Sequence, residues 1–406
     1  MQQRRVVITG VGAICALGHD ARTTWAAMRE GRGGIGPLVG FEDQAMRAKI
    51  AAQVHDYDPN QYFDAKKLPL YDRVSQFALI AAREAVAQSG LDFHDAETGA
   101  RAACIVGTGV GGEVAHDDAA KRLYADGNPR LHPLTVVRIM PSASTSHVSI
   151  EFGITGPTFG VTSACATSNH AFAQALALIR AGMADTALAG GAEACISLGC
   201  VRAWEAMRIL ADDTCRPFCK QRRGLVLGEG AGMVVLEELE HARARGANIL
   251  AELAGAGMSA DAGDIVMPSE RGAACAIAAA MADAGLNPED VDYINAHGTG
   301  TPANDPTETR AIHEALGARA RHVPVSSTKS LHGHPLGAAG AIELVAAIGA
   351  LREGVIPPTA NFIDPDPACD LDYVPNAPRE VPVRTVLSNA FAFGGLNAVV
   401  ALKRAP

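Results

Sequence analysis

Short apolar runs that read as buried strands alternate along this chain with Ala-rich segments that read as helices, and no other feature narrows the fold as much. Residues 5–10 (RVVITG) have the pattern of a strand closed by a glycine turn, and residues 75–89 that of a helix ending near Gly90. Residues 102–106 (AACIV) are the next strand-like run and stop at the glycine-rich GTGVGG. Residues 166–183 read as a long helix, and residues 186–189 and 232–239 as further strands. Continuous apolar strands separated by helices point to an α/β fold with buried sheets, mixed but largely parallel.

The alternation also repeats. A helix ending AREAVAQSGL, a turn, the strand ACIV and GTG are echoed far downstream by a helix ending AAMADAGL, a turn, VDYINA and HGTG. The Ala-rich helix after SACATS is matched in layout by the one after GHPLG. Self-similarity at this scale suggests two related halves, residues 1–245 and 246–406, joined near the charged stretch EELEHARARGAN. At 406 residues the chain exceeds one ordinary core, as two halves require. Each half sets a reactive side chain in a turn just before an Ala-rich helix.

Composition excludes several function classes. Apolar residues make up 48% and charged residues 19%, the balance of a globular protein with a large core. A formal net charge of −9 argues against nucleic acid as the main partner, because phosphate binding needs a basic face. The nine cysteines are scattered and form no C-x-x-C pair, which reads as a reducing cytoplasm rather than a disulfide scaffold. The opening MQQRRVVITG lacks the apolar core of a signal peptide, and no run reaches the roughly 18 apolar residues of a membrane span.

Four positions carry candidate chemistry. Cys165, in VTSACATSNHAF, sits where a strand-like run gives way to a helix. Unpaired N–H groups and the positive end of the helix dipole favour a thiolate there, and the same N–H groups can hold an oxyanion. Any one of nine thiols is by default a buried structural residue; this position sets Cys165 apart. His297, in NAHGTGTPANDPTE, ends a strand and enters a turn of Gly and Thr that suits an extended polar ligand. His334, in SSTKSLHGHPLGAAGAIE, precedes a helix as Cys165 does, with Lys329 five residues before it and Glu343 nine after. Such charges can set the tautomer of a histidine. Phe393, in LSNAFAFGGLN, adjoins two glycines, as a mobile apolar flap would. Cys195, Cys200, Cys215 and Cys219 lack zinc spacing, His332 and His334 have no third ligand, and GTGVGG lacks the dinucleotide spacing, so neither a metal nor a dinucleotide is expected.

TSACATS, RPF…GLVLGEGAG, NAHGTGTPANDPTE, SSTKSLHGHPLGAAGAIE and NAFAFGG together resemble the β-ketoacyl-acyl-carrier-protein synthases of the elongating type II class, over nearly the whole chain. AWEAMR and DTCRPF are most similar to the nodulation-type branch. The resemblance implies a thiolase-like five-layer αβαβα fold, a homodimer and a catalytic Cys165–His297–His334 triad. It implies acyl transfer to Cys165, with the N–H groups of Cys165 and Phe393 as oxyanion donors. Malonyl-carrier protein would then lose CO2 at the two histidines, supported by Lys329 and Glu343. Thr299 and Thr301 match positions for the phosphopantetheine arm, which the acyl-carrier protein brings with it, so no dissociable cofactor is needed. Phe393 matches a gating Phe, and Val110, Trp204 and Phe391 fall at the acyl pocket. Lys66, Lys67, Arg73, Arg130 and Arg208 fall where a basic rim would meet an acidic carrier.

The chain departs from the family pattern at several points. Ala392 and Leu396 stand where Gly and Thr are common, and Cys219, Arg223 and Leu225 where Asp, Asp and Phe are usual. Gly263, Asp264 and Val266 replace Tyr, His and Thr. Trp204 replaces a smaller aromatic, and Val110 a bulkier Ile. These changes suggest a specialised acyl chain, such as an unsaturated one. Alternatives are a ketosynthase that pairs with a chain-length factor, a non-catalytic partner of that kind, and an acyltransferase or thioesterase that does not condense.

Overall fold

The computed structural model describes residues 4–41 and 44–406. Ten strands form one continuous mixed sheet. In chain order they are β1 (Val6–Cys15), β2 (Ala102–Gly107), β3 (Thr158–Val161), β4 (Thr186–Glu193) and β5 (Gly230–Glu238). The second set is β6 (Ala251–Ala260), β7 (Tyr293–Asn295), β8 (Val325–Ser326), β9 (Thr385–Ala392) and β10 (Leu396–Arg404). Their order across the sheet is β3-β2-β4-β5-β1-β6-β10-β9-β7-β8. Read outward from the β1–β6 junction, both sets of five show the same order, each strand matched by the one five places later.

The sheet is mixed as expected, but parallel pairing does not dominate. In each set of five the outer two pairings are parallel and the inner two antiparallel, and the β1–β6 junction is antiparallel as well. The connections explain this. Crossover helices return strands parallel, whereas β9 turns straight into β10 with Ala392 opposite Leu396, and a hairpin can only be antiparallel.

Helices fill three layers around the sheet. Helices α1 (Arg73–Ser89) and α2 (Ala143–Phe152) cover the outside of the first five strands. Helices α5 (Glu270–Asp283) and α6 (Asn304–Leu316) cover the outside of the second five. Between the two sets lie α3 (Thr167–Arg180) and α7 (Ala339–Glu353), which touch each other and strands of both sets. That stacking is the five-layer αβαβα arrangement. Helix α7 buries every residue from Ala339 to Leu351, which is why its sequence is apolar all round. A further helix, α4 (Leu198–Met207), lies outside these layers and flanks the site.

One sequence expectation fails at Gly10. The first strand does not turn there; it continues to Cys15 and only slips register against β5 between Ile8 and Gly10. The glycine serves a close approach. A Cβ on Gly10 would sit 2.0 Å from the Ala85 carbonyl oxygen of α1, and one on Gly12 would sit 2.1 Å from that of Ala81. Bare backbone lets α1 lie directly on the strand.

Candidate active site

The site is assembled from the ends of strands in both sets of five. After β3 the chain enters a tight 3-10 turn, Ala164–Ala166, that runs directly into α3. Ala164 takes φ +47°, a strained value for a residue with a side chain. The Thr167 hydroxyl holds the turn by accepting from the Ser163 N–H at 2.9 Å and donating to the Ala164 carbonyl at 2.7 Å. Cys165 is thereby carried to the helix N-terminus with its side chain turned inward and only 6% exposed. The same device recurs before α7, where the 3-10 turn Leu336–Ala338 opens with Leu336 at φ +37°.

His297 follows β7. Its own N–H and that of Gly298 donate to the Glu308 carboxylate on α6 at 2.8 and 2.7 Å, and Asp305 on the same helix accepts from Gly300 at 3.2 Å. Two acids three residues apart share a helix face, so α6 grips the whole His297 loop. His334 follows the short helix Lys329–His332, and its N–H donates to the Val226 carbonyl at 2.7 Å. These anchors bring His334 Nε2 to 3.1 Å from Cys165 Sγ and place the two imidazoles 5.4 Å apart, nearly edge to face. Lys329 and Glu343 form an ion pair with both side chains fully buried.

Burial decides the protonation states. It pushes the Cys165 thiol up to about 12, against the opposing pull of the Lys329 charge. The thiolate expected from the helix N-terminus is therefore not the resting form, because desolvation outweighs the cation and the N–H groups, including that of Phe393, that bear on the sulfur. Burial likewise holds His297 and His334 well below their ordinary value; the Lys329 charge and the neighbouring imidazoles, His334 for His297 and His332 for His334, add to it. Both rings are neutral at pH 7.

A pocket with an empty volume of about 1050 Å³ opens over these groups. Thr299, Thr301, Trp204, Phe391, Phe393 and Arg208 all line it. The Thr299 and Thr301 hydroxyls meet at 3.0 Å. Phe391 packs 6.1 Å from the His297 ring. Val110 is not in the pocket wall; it is 40% exposed on the outer surface, in the loop after β2. Lys66, Lys67 and Arg130 are exposed but do not line the pocket. Arg73 is no rim cation: it donates to Glu229 at 2.9 and 2.7 Å and lies over the Tyr57 and Phe77 rings.

Among the described residues, metal-type ligand atoms gather only at Cys165, His297 and His334, within 4.8 Å of one another. The charge of Lys329 acts on all three and opposes a cation there. The four other cysteines considered as a metal set do not cluster.

Several residues of the site were not singled out from sequence. Asp305 and Glu308 lie inside NAHGTGTPANDPTE, and their spacing on a helix was the available signal. Arg223, noted from sequence only as a departure from the family pattern, lines the pocket with Arg208. Glu193, at the end of β4, is fully buried and accepts from Thr108, Gly109, Val110 and Gly337, joining the loop after β2 to the turn that follows His334. Its burial pushes its carboxyl up to about 7.

Comparison with known proteins agrees with this geometry. Residues 3–242 match the Beta-ketoacyl synthase, N-terminal domain, and residues 250–363 match the Beta-ketoacyl synthase, C-terminal domain. The chain is 52% identical over 401 residues to "Nodulation protein E" of Rhizobium meliloti (strain 1021), covering 99% of both chains. It is 40% identical over 410 residues to "3-oxoacyl-[acyl-carrier-protein] synthase 2" of Staphylococcus aureus (strain N315), again covering 99% of each. Among solved structures, the ishigamide ketosynthase/chain length factor superposes with a TM-score of 0.95 at 38% identity over 100% of both chains. A nucleophile-bearing turn, two neutral histidines and a buried Lys–Glu pair in a five-layer fold, matched across its length by these relatives, define a condensing acyltransferase, and the chain belongs to the β-ketoacyl synthase family.

Proposed function

We propose that this protein extends an acyl chain by two carbons through a thioester on Cys165. The observation that carries the reading is the 3.1 Å approach of His334 Nε2 to Cys165 Sγ, with His297 across the same pocket. An acyl group passes from the thiol of a carrier-protein phosphopantetheine arm to Cys165. The Cys165 proton leaves with the departing carrier thiol, while His334 Nε2–H, 3.1 Å from the sulfur, donates to it as it ionises. Splitting the reaction this way replaces one hard step by two easier ones.

Malonyl-carrier protein then takes the place of the first carrier in the pocket. Its C–CO2 bond breaks, and the electron pair stays on the thioester as an enolate. His297 and His334, held neutral, donate hydrogen bonds to that oxygen without competing for a proton. The enolate carbon attacks the acyl carbonyl, the C–S bond to Cys165 breaks, and the sulfur recovers a proton. N–H groups of Cys165 and Phe393 hold the oxyanion. Lys329 and Glu343 act behind the histidines, on their charge and position rather than on substrate. Thr299 and Thr301 receive the pantetheine arm; Trp204 and Phe391 border the acyl group. Arg208, with Lys66, Lys67 and Arg130 further out, attracts the acidic carrier.

The two five-strand sets act as domains that meet between residues 245 and 246, one supplying the nucleophile and the other both histidines. The protein works as a dimer in the cytoplasm, where its nine free cysteines stay reduced. The outer edge of β3 supports the dimer: among the described residues it has no strand beyond it, and Phe159 on it is 40% exposed. Val110 would be covered by that interface and could reach the acyl pocket of the assembled protein. The partner is a second copy; likeness to a ketosynthase/chain length factor supports a heterodimer as the second reading. The substituted positions around the pocket, Trp204 and Val266 above all, support a specialised acyl chain.

Release of labelled CO2 from malonyl-carrier protein labelled at its free carboxyl tests the reaction. One CO2 per new carbon–carbon bond is expected. Acyl exchange with no CO2 would leave an acyltransferase instead.

A further inference from the structure

Helix α4 is held firmly. Glu205 is buried beneath it, accepts from the Arg47 and Ala48 N–H groups at 2.5 and 2.7 Å, and pairs with Arg202 at 3.0 Å. Trp204 and Arg208 are four residues apart and both border the pocket, so they share one stripe of α4 and its C-terminal cap. The Trp204 indole lies nearly parallel to the Phe393 ring, with planes 25° apart and centroids at 6.1 Å.

Phe393 opens the three-residue turn between β9 and β10. The next two residues, Gly394 and Gly395, have φ +82° and +67°, which makes the turn a ready hinge. Its other side is tied by Gly394 N–H to the Ile265 carbonyl at 2.8 Å, in a loop whose Ile265 side chain is 73% exposed. The Phe393 N–H meanwhile bears on the Cys165 sulfur. A well-anchored indole on one side and an exposed loop on the other thus hold a hinged residue whose amide serves Cys165.

We propose that Trp204 is a positioning residue that latches the Phe393 flap shut by ring stacking and so keeps the Phe393 amide on Cys165. The inference rests on the proposed acyl-Cys165 function and goes beyond it by assigning the latch. Acylation of Cys165 fills the space beside Phe393 and parts the two rings; release of the product lets them meet again. Without the stack the flap spends less time closed over the free thiol, and transfer of the acyl group to Cys165, which needs the oxyanion amide, slows. Substrate capture at the mouth is unaffected.

The test loads Cys165 by two routes and reads Trp204 emission. The chain has two tryptophans, and subtracting the spectrum of W204F leaves the signal of Trp204 with Trp25 in place. One route is an acyl-carrier thioester; the other is decyl chloroacetamide, which alkylates the thiol whatever the enzyme does. A Cys275→Ser background removes the exposed thiol, and mass mapping confirms the load. The expected result is a change in Trp204 emission with either load. The rate of Cys165 acylation at saturating carrier should fall about fivefold in W204A and W204L, the size of one aromatic pair. KM for the carrier should be unchanged, and W204F should restore most of the rate. A loaded Cys165 with unchanged emission, or W204L taking up the acyl group at the wild-type rate, overturns the latch. Loading by the chloroacetamide alone refutes the proposed function, while the emission still decides the latch.

Discussion

At the residue scale, the proposed reaction depends on groups that burial keeps neutral. His297 and His334 owe that first to burial and next to Lys329. Each folded-state value is depressed, so the neutral ring is favoured above the ordinary pH of 6.5 and is lost only as pH falls through the lower folded value. The acid limb of kcat/KM is accordingly expected below pH 6.5 in wild type. Lys329→Met should move that limb to higher pH, apart from any loss of rate. A limb that stays in place would mean the Lys329 charge does not govern the histidines. Cys165, His297, His334 and Lys329 were legible because each stands in a turn or strand end within a distinctive motif. Asp305, Glu308 and Glu193 were not, since a carboxylate in a polar stretch looks like a solvated charge until burial is known. Arg73 was misread for the same reason: its partner Glu229 lies 156 residues away.

At the scale of elements, the alternation of strand and helix located most of the fold. It failed where glycine had two meanings. Gly90 does cap α1 in a left-handed conformation with φ +69°, as a helix-ending glycine should. Gly10 instead clears space for α1. Gly10→Ala would drive a methyl into the Ala85 carbonyl and is expected to cost about 3 kcal/mol, the upper end for an overpacked site. A urea denaturation midpoint with unchanged m-value measures it; no shift would mean that α1 can lift off β1. Antiparallel pairing in half of each strand set was also illegible, because buried strands of either sense share one apolar pattern.

At the scale of the whole molecule, two sets of five strands with the same order build the site between them. The same 3-10 turn has Cys165 at its centre and leads into α3 in one set of strands, and has Gly337 at its centre and leads into α7 in the other. Packing α3 against α7 in the central layer brings the first turn to the histidines of the second half. A sequence can show the repeat, but only packing shows that the two helices meet. Among the described residues β3 is one of the two edge strands of the sheet, β8 being the other. A solution mass of two chains is expected by sedimentation, and Phe159→Lys should yield one chain. If that variant stays dimeric, the interface lies elsewhere.

The central claim is that Cys165 carries the growing chain. The most direct test is intact-protein mass spectrometry after exposure to acyl-carrier proteins of varied chain length, followed by malonyl-carrier protein. The account predicts that Cys165 gains the acyl mass and then loses it as a β-ketoacyl product two carbons longer. A Cys165 that stays unmodified with every donor, or an acyl mass that leaves without elongation, would contradict it.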